Sequence, residues 1–170
     1  MVTIDYKTVL DNCLSSDMTD DFSSDMAAYC DTVYGDILIT VNGSEYGCIY
    51  DIPSEIDYGD TVLDYWFSEL LEACIVLKHE TKYIIKEIEC PSLYLIFEKD
   101  GNSSLLVSCY SSDGIKWTEK TEYSELAAEV IRIVKKFTNE LCKFNKKLAD
   151  SAVISTMNSK LIKLEQEFNS

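Results

Sequence analysis

The stretch whose reading decides the fold is 36–57, DILITVNGSEYGCIYDIPSEID. Two apolar, β-branched runs flank Asn42-Gly43, and both turn residues tolerate positive φ at little steric cost. The spacing predicts a strand over 36–41, a type I′ turn at Asn42-Gly43 and a return strand over 45–52, ended by Pro53. The following segment, 53–60, reads as an acidic loop carrying Glu55, Asp57 and Tyr58.

Downstream of the hairpin, Asp60 is placed to cap a helix over 61–78. In it Val62, Leu63, Trp66, Phe67, Leu70, Leu71 and Cys74 recur at three- and four-residue steps, with Asp64, Glu69 and Glu72 opposite. Strands are then expected over 81–90, 92–98, 104–110 and 115–120. The breaks between them are Pro91, Lys99-Asp100-Gly101-Asn102 and Ser111-Ser112-Asp113-Gly114, and such short turns join antiparallel neighbours. In the last strand Ile115 and Trp117 alternate with Lys116, Thr118 and Lys120, which predicts one buried and one wet face. Residues 122–170 read as helix in two apolar stripes. Leu126, Val130, Val134, Phe137, Leu141, Phe144 and Leu148 make the first; Ile154, Met157, Leu161, Leu164 and Phe168 make the second. Neither Gly nor Pro separates the stripes, so one long helix or two both fit, and the second stripe suits core packing, a dimer seam or a partner groove.

Upstream, 1–35 reads as a helical N-terminal segment. Val9, Leu10, Cys13 and Leu14 fit one short helix, and Met18, Phe22, Met26 and Tyr29 another that Gly35 stops. The expected architecture is a single α+β domain over 1–170. It places an antiparallel sheet of about five to six strands, 36–121 with an inserted helix, against a long C-terminal helix in 122–170.

The charge distribution carries the functional signal. The chain has 15 basic and 30 acidic residues for a net charge of −15. Lys7 is the only basic residue in 1–77, against sixteen acidic ones; 78–170 holds fourteen of each sign. Such a potential repels nucleic acid and anionic membranes and attracts a basic protein surface. Seven of the eleven tyrosines fall in the acidic part. Tyrosine offers large contact area at low entropic cost, and carboxylates beside it can pair with arginine or lysine. The expected contact residues are Asp36, Glu45, Tyr46, Tyr50, Asp51, Glu55, Asp57, Tyr58 and Asp60.

Motifs for chemistry are missing from the sequence. The seven cysteines are odd in number and widely spaced with no C-x-x-C, which reads as reduced thiols in a cytoplasmic protein. His79, the only histidine, lies in the charged run Lys78-His79-Glu80 and suits a helix C-terminus better than a catalytic base. Asp17, Asp20, Asp21 and Asp25 lack the alternate spacing and glycine of an EF-hand loop. There is no P-loop or G-x-G-x-x-G run, no apolar block of signal-peptide length and no transmembrane run. A binding protein without cofactor or metal is expected, monomeric or weakly dimeric, and not an enzyme.

In an acidic chain of this size, 36–57 followed by VLDYWFSELLEAC (62–74), strands and SELAAEVIRIVKKF (124–137) resembles bacterial immunity proteins. These are the antidotes of polymorphic toxins and contact-dependent growth inhibition systems. The resemblance spans about 36–148, rests on element order and composition, and carries over no residue-specific roles. It implies an inhibitor of a cognate toxin's C-terminal domain, often a basic nuclease. The competing class is an acidic secretion-system chaperone that holds an effector segment, with 154–168 as its dimer contact.

Overall fold

A computed structural model describes residues 1–8, 32–49, 61–88 and 90–168. Its elements are β1 (Val2–Thr8), β2 (Tyr34–Val41), β3 (Ser44–Cys48), β4 (Thr61–Val62), α1 (Leu63–Val76), β5 (Lys82–Lys86), β6 (Tyr94–Lys99), β7 (Ser104–Ser111), β8 (Gly114–Glu122), α2 (Tyr123–Phe144), a 3₁₀ turn (Lys146–Asp150) and α3 (Ala152–Phe168).

The turn forms as its sequence predicts, but the return strand expected over 45–52 ends at Cys48, and Ile49 lies outside any strand. Asn42 and Gly43 take φ of 50° and 95°, and Val41 pairs with Ser44 across the turn. Gly47, within β3, is also in positive φ at 77°. A Cβ there would lie 2.1 Å from the Ile37 carbonyl oxygen, so the close approach of β2 requires glycine.

Three expectations are corrected. First, 1–35 does not begin as helix: Val2–Thr8 is a strand, antiparallel to β2 from Val2↔Val41 to Thr8↔Gly35. Val2 and Ile4 point into the core while Asp5 is exposed, the period-two pattern of a half-buried strand. The short helices expected over 9–14 and 17–29 lie outside the described residues.

Second, the strands form two four-stranded antiparallel sheets instead of one sheet of five or six. The first has the order β1-β2-β3, with β4 on the other end of β2; the second has the order β5-β6-β7-β8. The sheets meet at β3 and β8 through side chains, without a ladder. Trp117 Nε1 donates to the Glu45 carbonyl at 2.9 Å, Asn42 Nδ2 to the Lys120 carbonyl at 2.7 Å, and Ser44 Oγ to Glu119 at 2.9 Å.

Third, Ile115 is 60% exposed. Cys109 pairs with Trp117 but Tyr110 pairs with Ile115, leaving Lys116 as an extra residue. This bulge puts Ile115 and Trp117 on opposite faces. Ile115 therefore joins the outer face of the second sheet, where Tyr94 and Tyr110 stack at 4.9 Å.

The helices cover the inner faces. α1 starts two residues later than expected because Thr61 and Val62 are held by β2, and Val62 occupies the cap position without a side-chain cap bond. Asp60, the expected cap, lies outside the described residues; the Asp64 carboxylate accepts from the Val33 N–H at 2.8 Å. The two C-terminal stripes belong to two helices, divided at Asn145, whose backbone is extended. Ile154, Met157, Leu161 and Leu164 are buried in the same core as α1, α2 and both sheets, so that stripe is used within the chain. Phe144 and Phe168 lie at the edge, 39% and 37% exposed.

Tyr6 marks the junction of β1, α1 and α2: its ring stands edge-on to Phe67 and Phe137 at 5.3 and 5.5 Å, and its hydroxyl donates to Glu140 at 2.5 Å. The outer edge of β1 is closed by side chains. Glu129 accepts from the Ile4 N–H at 2.7 Å, and Arg132, paired with Glu129, donates to the Ile4 carbonyl at 3.1 Å. An edge strand thus finds its missing partner in a helix.

Candidate functional site

The seam between the two sheets holds a buried carboxylate. Strand alternation puts it there: Ile85 points inward, Lys86 outward, and Glu87, one residue beyond β5, inward again with 8% exposure. The same alternation turns Tyr46 of β3 inward between exposed Glu45 and Gly47. Thr61 arrives from β4, and Trp66, fully buried, from the first turn of α1.

The other three side chains meet at Glu87. Trp66 Nε1 donates to Oε2 at 2.9 Å, and Tyr46 donates its hydroxyl to the same oxygen at 3.2 Å. The Thr61 hydroxyl sits 3.0 and 3.1 Å from the two oxygens, and the Ile88 N–H donates to Oε1 at 3.0 Å. The Tyr46 and Trp66 rings pack at 4.9 Å. Every donor among the described residues is neutral. They fill the lone pairs of the carboxylate without cancelling its charge, and no lysine or arginine among the described residues lines the space around it. The Tyr46 phenol is held far above its usual titration range, first by burial and then by the neighbouring Glu87 charge, so it stays a donor.

Beside Glu87 opens a cavity of about 330 Å³, walled by Ile37, Tyr46, Thr61 and Leu93 and flanked by Cys48 and Cys90. Both of these cysteines are free and exposed. The arrangement offers a fixed acceptor at the base of an apolar pocket, which is a binding geometry. Among the described residues no three His, Cys, Asp or Glu side chains converge to hold a metal ion.

The expected contact residues divide three ways. Glu45 is exposed, as a surface contact must be. Asp36 and Tyr46 are 2% and 3% exposed and are corrected from surface to interior: Asp36 lies opposite Lys7 in the β1–β2 register, and Tyr46 is a wall of the seam. Tyr50, Asp51, Glu55, Asp57, Tyr58 and Asp60 lie outside the described residues. The stretch that holds them is bounded on both sides by the pocket, however, since Cys48 precedes it by one residue and Thr61 follows it directly. Glu87, Thr61 and Trp66 were missed. The available signal was the alternation Ile85-Lys86-Glu87, which turns a carboxylate inward.

The described acids of 1–77 also divide. Asp64 holds the Val33 amide, Glu69 accepts from Tyr83 at 3.0 Å, and Glu72 pairs with Lys160 at 3.1 Å. Asp5 and Glu45 face solvent. Ten of the sixteen, Asp51, Glu55, Asp57 and Asp60 among them, fall in the segments outside the description.

No protein-family model, curated protein or solved structure matches this chain. No helix among the described residues is long and apolar enough to cross a membrane.

Proposed function

We propose that this chain acts by binding a basic protein surface, as an immunity protein that neutralises a cognate toxin domain. The observation that carries the reading is the segregation of charge. One basic residue faces sixteen acidic ones in 1–77, while the rest of the chain is balanced. Folding ties up Asp64, Glu69 and Glu72 in internal bonds; the acidic stretch 50–60 runs in sequence between Cys48 and Thr61, two residues that line a pocket with a carboxylate at its base. A field of one sign speeds encounter with an opposite one, and a pocket beside it supplies the anchor that charge alone lacks. The chaperone alternative drew its dimer contact from the second C-terminal stripe, and the core position of that stripe removes the support.

The test is coexpression with the C-terminal toxin domain encoded by the upstream neighbouring gene. Cells are expected to survive with this chain and die without it; equal killing in both cultures would refute the reading. A surface measurement refines it. Reversing Asp51, Glu55 and Asp57 to lysine is expected to slow association by about tenfold or more at low salt and to flatten its salt dependence. An unchanged association rate would remove that stretch from the contact surface.

A further inference from the structure

We infer that the seam pocket is the receptor for a single basic side chain of the partner, an arginine or lysine that passes between Cys48 and Cys90 and ends at Glu87. The inference rests on the reading that the chain binds a basic protein, and it names where the central contact is made.

Four observations converge on it. The cavity, about 330 Å³, is far larger than the roughly 30 Å³ of a single water and admits a whole side chain. Its walls are apolar where the methylene stem of a lysine or arginine would lie, at Ile37, Leu93 and the Tyr46 ring. Its base is anionic, and among the described residues that charge is buried with neutral donors only. A carboxylate withdrawn from water in this way keeps a standing attraction for a cation. Finally, the stretch 50–60, with its four carboxylates, lies in sequence between two pocket-lining residues, Cys48 and Thr61.

The exchange of hydrogen bonds is feasible. Of the four donors to Glu87, the Tyr46 hydroxyl is the most distant, at 3.2 Å. An incoming N–H can take its lone pair on Oε2, while the hydroxyl turns to accept from the same cation. The fixed bonds from Trp66 and Ile88 stay in place. An acidic side chain would be repelled here, and an apolar one would leave the charge facing hydrocarbon.

The chain carries its own reporter, because its two tryptophans divide between site and control. Trp66 bonds Glu87 through its indole N–H; Trp117 bonds the Glu45 carbonyl. In the ¹⁵N-labelled full chain, titration with N-acetyl-arginine amide is expected to shift the Trp66 indole signal saturably and leave that of Trp117 in place. N-acetyl-citrulline amide, of the same shape but uncharged, is expected to bind about tenfold more weakly or less, the usual worth of a charge-assisted hydrogen bond. Glu87→Gln is expected to abolish the response. So is Cys48→Phe, which fills the pocket mouth at an exposed strand position and leaves the bonds of Glu87 intact, and which stands in should Glu87→Gln fail to fold. An unmoved Trp66 signal, or equal responses to the two amides, overturns the inference. The coexpression test separates it from the broader reading. Wild-type protection that Cys48→Phe leaves undiminished rejects the pocket and keeps the basic partner; absent wild-type protection rejects the partner, and the titration alone then decides the pocket.

Discussion

Replacing Glu87 by glutamine keeps shape and volume but halves the acceptors at the seam. Tyr46 and Thr61 hold rotatable hydroxyls and can turn to accept from the new amide NH₂. The Trp66 and Ile88 N–H groups, fixed by ring and backbone, approach different carboxylate oxygens at 2.9 and 3.0 Å. Whichever way the amide sits, one of them faces NH₂ and is orphaned in the interior, at about 1–3 kcal/mol. Loss of charge assistance on the remaining bonds adds about 1 kcal/mol, and relief from burying a charge offsets part of this. A net loss of about 2–3 kcal/mol is expected, or roughly 5–10 °C in Tm for a chain of this length. Urea unfolding followed by circular dichroism should show a lower midpoint at an unchanged slope. A double-mutant cycle with Trp66→Phe should give about 1–2 kcal/mol of coupling between the two side chains. A glutamine variant within about 0.5 kcal/mol of wild type, or a cycle with no coupling, would refute the account of Glu87 as the bond that closes the seam.

Other consequences are as direct. Glu129→Ala removes the acceptor for the Ile4 N–H and the partner of Arg132; a loss of about 1–3 kcal/mol is expected, with amide exchange accelerated in Val2–Thr8 and unchanged in β6 and β7. Gly47→Ala should cost about 2 kcal/mol or more, since its Cβ would strike the Ile37 carbonyl oxygen at 2.1 Å. Gly43→Ala, with nothing within 4 Å, should cost only the positive-φ penalty of about 1 kcal/mol. Equal losses by urea unfolding would contradict that distinction. Burial pushes the Cys74 thiol up to about 12. The folded chain keeps this proton where the unfolded chain releases it near the ordinary value of 9.0, so stability falls as pH rises between those values, by about 1.4 kcal/mol per pH unit. Tyr6, Tyr46, Tyr83 and Tyr123 are raised too, chiefly by burial, and steepen the fall above the ordinary phenol value of 10.0. Cys74→Val should reduce the alkaline slope by one proton's worth; coincident slopes would exclude the thiol as a contributor.

The sequence by itself determined the local elements. Period-two and helical patterns and turn residues are properties of neighbouring residues, so the Asn42-Gly43 hairpin, α1, the four strands of the second sheet and both C-terminal stripes were legible before any coordinates. The lopsided charge was legible for the same reason, being a sum over residues. Tertiary structure alone decided what depends on distant partners. Val2–Thr8 is a strand because β2 lies beside it and α2 closes its edge. The strands split into two sheets because β3 and β8 meet by side chains, and Ile115 turns outward because of a single unpaired residue in β8. The seam site joins Tyr46, Thr61 and Trp66 from three separate elements with Glu87 from just beyond a fourth. Spacing along the chain records which face a side chain takes, but not what it meets there; that follows only when loops close and bring remote faces together.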